Sequence, residues 1–132
     1  MDELSLYSVI GEEGFARLVA AFYRRVPEDE ILGPMYPAAD LEEAERHLRD
    51  FLIYRFGGPP RYVSDRGHPR LRARHFQFAI PQTARDRWMM LMNDALGNAG
   101  IPVEAQQILR TFLDPMSTFM INQDGRGARH QA

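Results

Sequence analysis

Apolar residues recur three and four apart through most of this chain, so most of it reads as amphipathic helix. After Gly11, EEGFARLVAAFYRRV puts Phe15, Leu18, Val19, Phe22, Tyr23 and Val26 on one stripe. Pro27 closes that helix because proline cannot continue one. EDEILGPMYP (28–37) then predicts a short turn and a connector bent at Gly33-Pro34. A second stripe runs through Leu41, Ala44, Leu48, Phe51, Leu52 and Phe56, and the spacing of Asp40 to Glu43 predicts a capping box at its start. Gly57-Gly58-Pro59-Pro60 stops it. Residues 59–80 show little periodicity and much Pro, Gly and Arg, so they are expected to form a long loop in place of a further helix. Ala84, Trp88, Leu91, Met92 and Ala95 form a third stripe. Past Pro102, Ile108, Leu109, Phe112, Met116 and Phe119 are expected to face inward, with a kink at Asp114-Pro115. No segment alternates as a strand does. Four main helices and one long loop predict an all-α fold: one domain over 1–122, with 123–132 a disordered tail.

Composition narrows the functions. Hydrophobic residues make up 45% and charged residues 26% of 132 residues, an ordinary globular balance. No apolar run reaches a membrane span. The acidic opening MDELSLYSVIG does not read as a secretory or mitochondrial signal, so a cytoplasmic location is expected. The absence of cysteine removes disulfides, thiolate catalysis and zinc fingers together. Net charge is −2, and all 16 basic residues are arginine. Five of these (Arg61, Arg66, Arg70, Arg72, Arg74) crowd into the aperiodic stretch. A solvated loop and an anion site at the edge of a pocket both explain that crowding. Nucleic acid is not expected as a partner, since no helix is basic along one face.

The histidines discriminate further. His68 lies in a Gly-His-Pro turn, His130 in the tail, and His47 about 100° around its helix from Leu48, at the rim of the apolar face. Only His75 sits among apolar neighbours, with Leu71, Phe76, Phe78 and Ile80 close in sequence. A structural hydrogen bond is one role for it. The other is a metal ligand, and a lone histidine does not make a zinc site, which takes three or four protein ligands. A metal with one protein ligand needs a macrocycle to supply the rest, as haem does.

The motifs FYRRV (22–26), EDEIL (28–32), MYP (35–37), FGGP (56–59), RGHPRLRARHFQFAI (66–80) and RDRW (85–88) resemble those of group II truncated haemoglobins, over Tyr7 to Phe119. The resemblance implies a two-over-two helical sandwich around haem b, with His75 as the axial ligand of iron and its other ring nitrogen donating to a backbone carbonyl. It puts Tyr23, Tyr36 and Trp88 on the opposite, ligand-binding side. Ala44 falls where many globins carry a distal histidine, and Leu48 lies one turn on, over the iron. Arg46, His47, Tyr62 and Arg74 fall at the propionate edge, and Phe51, Leu71 and Phe78 complete the implied haem contacts. The chain departs from the family in having Gly11-Glu12 where paired glycines are usual. Trp88 and Tyr36 favour group II over its relatives.

Without a distal histidine, tyrosine O–H and tryptophan N–H groups are the donors available to bound oxygen. Each such bond is worth roughly 1–3 kcal/mol, so several together make release slow. Core packing alone is the competing reading of Tyr23, Tyr36 and Trp88, and Met89, Met90 and Met92 read as gap-fillers. Three functions stay open: reversible binding of oxygen, carbon monoxide or nitric oxide; nitric oxide dioxygenation or peroxide reduction with an external reductase; and a haem-free helical interaction module. The chain is expected to be a monomer or homodimer.

Overall fold

The computed structural model describes residues 1–75 and 78–123. Among them are six α-helices: α1 (Leu6–Arg25), α2 (Leu41–Arg55), α3 (Arg61–Arg66), α4 (Leu71–Arg74), α5 (Gln82–Asn98) and α6 (Val103–Phe119). Helix α1 packs against both α2 and α5, and α5 packs against α6, which forms the two-over-two sandwich. The stripes read from the sequence meet inside it: Phe15, Leu18 and Phe22 of α1, Leu52 of α2, Met92 of α5 and Leu109 of α6 are fully buried. Burying one such side chain stabilises the fold by about 1.5–3 kcal/mol. Aromatic contacts tie the layers together, with Phe15 6.3 Å from Phe56 and Phe56 5.4 Å from Phe112 between ring centroids.

Glycine geometry explains how the N-terminal turn joins this core. Gly11 has φ 68° and ψ 177° inside α1, so the helix starts at Leu6 and kinks there rather than starting after Gly11. One glycine therefore makes the bend where a pair is usual in the family, because a positive φ costs glycine little. At the end of α2, a Cβ on Gly58 would lie 2.5 Å from Ile53 and 2.7 Å from the Tyr7 ring. The glycines that stop α2 also let Leu4 and Tyr7 approach it closely, and Tyr7 N–H donates to the Phe56 carbonyl at 3.1 Å.

Several expectations are corrected. Asp40 makes no side-chain cap: residues 38–40 form a 3-10 turn, so the Asp40 backbone is already helical and its side chain does not fold back onto the first turn. The stretch 59–80 is not one continuous loop. It holds α3 and α4, separated by Gly67 (φ 76°) and by Arg70 in the left-handed region (φ 42°), which break the helix twice. Phe119 is 60% exposed, at the last turn of α6 with the Arg72 guanidinium 5.7 Å over its ring. Asp114-Pro115, where a kink is expected, lies inside α6, and the Ser117 and Thr118 hydroxyls both donate to the Asp114 carbonyl there. Phe76 and the expected tail beyond 123 lie outside the described residues.

Candidate functional site

His75 directly follows the four-residue helix α4. Its Nδ1 lies 2.6 Å from the Leu71 carbonyl one turn back, so Nδ1 carries the proton and Nε2 keeps its lone pair. Among the described residues Nε2 has no hydrogen-bond partner. The Phe78 ring lies 6.3 Å from the imidazole and is 42% exposed, and Leu71 is half-buried. Nowhere among the described residues do three or more His, Cys, Asp or Glu side chains group as a metal site. A metal on His75 must bring its remaining ligands with it, and the donor set fits haem on that ground.

Tyr23, Tyr36 and Trp88 come together from three elements. Tyr23 lies on α1, Tyr36 follows the 3-10 turn Gly33–Met35, and Trp88 lies on α5. The two tyrosine rings meet edge to face at 5.7 Å, and Trp88 packs on Phe22 at 5.1 Å. All three side chains carry hydrogen-bond donors, the two phenol O–H groups and the indole N–H. Burial pushes the Tyr23 hydroxyl well above the ordinary tyrosine range, reinforced by Tyr36 and by the Glu45 charge. Burial also pushes the Tyr36 hydroxyl up, against the opposing influence of Trp88 and Tyr23. Both phenols therefore remain protonated through neutral pH. Ala44 and Leu48 of α2 are half-buried against the same core.

The residues expected at a carboxylate-binding edge form a second group. Tyr62 is buried, with its ring 5.4 Å from Phe51, and the Arg66 and Arg74 guanidinium carbons lie 5.6 and 5.8 Å from its centroid. Arg74 Nε donates to the Pro69 carbonyl at 2.7 Å, and its Nη2 donates to Arg66 and His68 carbonyls, so this side chain braces its own turn. Arg66 is hydrogen-bonded to His47 Nδ1. Burial, then the charges of Arg66 and Arg46, hold the His47 pKa below its usual value, which keeps the ring neutral and able to accept. Arg46 itself is exposed.

Sequence reading missed one link that positions this site. Asp29 is buried and receives Arg87 Nε and Nη2 on one oxygen at 2.9 and 2.6 Å, while the other accepts the Ile31 and Leu32 N–H groups at 3.0 and 2.8 Å. It ties the turn leading to Tyr36 to the helix carrying Trp88. The local signal was present, since an Asp two or three residues before free amides favours an Asx turn. Burial pushes the Asp29 carboxyl up, but the Leu32 N–H, the Arg87 guanidinium and the Ile31 N–H outweigh it and hold the carboxyl below its ordinary 3.8. That contribution is complete above the ordinary value and is lost as pH falls through the depressed one. Leaving the buried Leu32 amide without an acceptor alone costs about 1–3 kcal/mol. Asp29→Ala is therefore expected to melt several degrees lower at neutral pH. In thermal melts across pH the gap from the parent should narrow in strong acid; equal melting temperatures at neutral pH would count against the tie.

An all-helical sandwich that presents one tethered histidine, with a buried Tyr23 and half-buried Tyr36 and Trp88 gathered elsewhere against the core, defines a globin. Comparison with known proteins agrees. A profile of the family described as bacterial-like globin matches residues 5–122. The chain is 40% identical over 117 residues to Group 2 truncated hemoglobin YjbI of Bacillus subtilis, covering 89% of this chain and 88% of that protein. Among solved structures it resembles the thermostable hemoglobin of the actinobacterium Thermobifida fusca, with TM-score 0.84, 43% identity and coverage of 89% and 96% of the two chains. It also resembles the truncated oxygen-avid haemoglobin of Bacillus subtilis, with TM-score 0.84, 39% identity and coverage of 89% and 98%. The chain belongs to the bacterial-like globin family, as a group II truncated haemoglobin. Membership brings haem as cofactor and oxygen or another diatomic molecule as ligand. No helix among the described residues is long and apolar enough to cross a membrane.

Proposed function

We propose that His75 holds the iron of haem b through Nε2, and that Tyr23, Tyr36 and Trp88 hydrogen-bond a diatomic ligand on the opposite side. The observation that carries the reading is the 2.6 Å contact between His75 Nδ1 and the Leu71 carbonyl. A carbonyl there fixes the tautomer and the ring plane and raises the basicity of the free nitrogen, as the outer partner of a metal-bound histidine does. Haem, when bound, supplies the open coordination position at which a diatomic molecule is held.

The chain's own groups then set what is favoured there. Protonated Tyr23 and Tyr36 and the Trp88 indole N–H present donors, and donors fixed in a buried site favour a ligand that carries partial negative charge. Oxygen suits them better than carbon monoxide, in keeping with the oxygen-avid relative. Ala44 and Leu48 offer no polar group, so the donors come from α1, the connector and α5 alone. Arg46, His47, Tyr62 and Arg74 serve the propionate edge, Arg74 chiefly by bracing residues 66–70. Phe51, Leu71 and Phe78 give the apolar contacts.

The test is the visible spectrum of the purified protein in the ferric, reduced and carbon monoxide states. A Soret band that moves on reduction and moves again with carbon monoxide is the expected result. A protein that stays colourless after haemin is added would sink the proposal.

A further inference from the structure

The chain leaving α6 returns to the segment that follows His75. Asn122 makes four hydrogen bonds there. Its Nδ2 donates to the Phe78 carbonyl at 2.8 Å and to the His75 carbonyl at 3.3 Å. Its Oδ1 accepts the Ile80 N–H at 2.8 Å, and its own N–H donates to the Ile80 carbonyl at 3.0 Å. Arg72 of α4 adds bonds from its guanidinium to the Phe119 and Ile121 carbonyls at 3.0 and 3.4 Å. Phe78 to Ile80 lie in no helix, so these peptide groups have no ladder to join. The Asn122 amide takes that place with its acceptor and both donors in use. The pattern also fixes the amide orientation, since only an oxygen can meet the Ile80 N–H and only nitrogen can meet two carbonyls.

We infer that Asn122 is a positioning residue for His75: it holds the His75 carbonyl and residues 78–80 against the end of α6 and so sets how the imidazole is presented to the metal. The inference rests on the ligand role proposed above for His75. Its physical content is a lever. The His75 carbonyl accepts both Phe78 N–H, at 3.0 Å, and Asn122 Nδ2. If that peptide rotates, the ring swings relative to the Leu71 carbonyl one turn back.

Asn122→Asp keeps the shape but turns a donor into an acceptor facing two carbonyls, and Asn122→Ala removes the side-chain bonds without repulsion. In the ferrous protein the iron–histidine stretching band should shift or broaden with Asp, and less so with Ala. Transfer of haem to an acceptor apoglobin should speed up about tenfold for Asp, equivalent to about 1.4 kcal/mol. Arg110→Ala, which breaks an exposed contact between α6 and Asn93 of α5, should leave both readouts where they are. A band unmoved in both Asn122 variants overturns the inference, and so does a lowered melting temperature with an unmoved band, since Asn122 would then only hold the fold. If the parent protein shows no band that His75→Gly removes, the ligand role of His75 is what fails instead.

Discussion

His75→Ala is expected to purify without a Soret band and to take up haemin at least about 100-fold more weakly than the parent. Losing only the hydrogen-bond partner of a metal-bound histidine costs about 10–100-fold in metal affinity, so losing the ligand exceeds that. No other histidine among the described residues is ready to replace it. His47 is engaged with Arg66, and His68 sits exposed in the turn between α3 and α4. The helices should survive, because among the described residues the side-chain hydrogen bond that His75 makes is to its own turn. Far-ultraviolet circular dichroism should therefore match the parent while the visible spectrum does not. Imidazole added to His75→Gly should restore the spectrum, since it supplies the missing nitrogen without the backbone tether. A variant that keeps a normal Soret band would show that the metal is held elsewhere.

The second large effect is expected on the distal side. Trp88→Phe and Tyr23→Phe each remove one donor and keep an aromatic ring in the core. At about 1–3 kcal/mol per bond, each should release oxygen about 10- to 100-fold faster in stopped-flow measurements. Their effects should not add, because Tyr23 and Trp88 both pack on Phe22 and the loss of one donor lets the other reorganise. Carbon monoxide release should change much less, since that ligand carries less negative charge for the donors to meet. The parent rate should be flat from neutral to mildly alkaline pH, because burial holds both phenols protonated there. Unchanged oxygen release in both variants would reduce the cluster to core packing, the competing reading of the same three residues.

The long helices were legible in the chain itself. Helix positions follow from apolar spacing over a few turns, and α1, α2, α5 and α6 all lie where their stripes predict. The RGHPRLRARHFQFAI motif made His75 the candidate ligand, and its tether to Leu71 spans only four residues. Helices α3 and α4 escaped notice because six and four residues are too few to show a period. The capping box failed for a different reason. A side chain caps only when its backbone stands outside the helix, and the preceding 3-10 turn had already brought Asp40 into helical conformation.

The tertiary structure alone decided the long-range partners. Asp29 meets Arg87 across 58 residues, and Asn122 meets Phe78 across 44. A carboxylate or an amide offers the same hydrogen bonds wherever it sits, so its residue type does not say which distant group it will find. That choice is made when the helices pack and buried polar groups must be satisfied by whatever the fold has brought within reach.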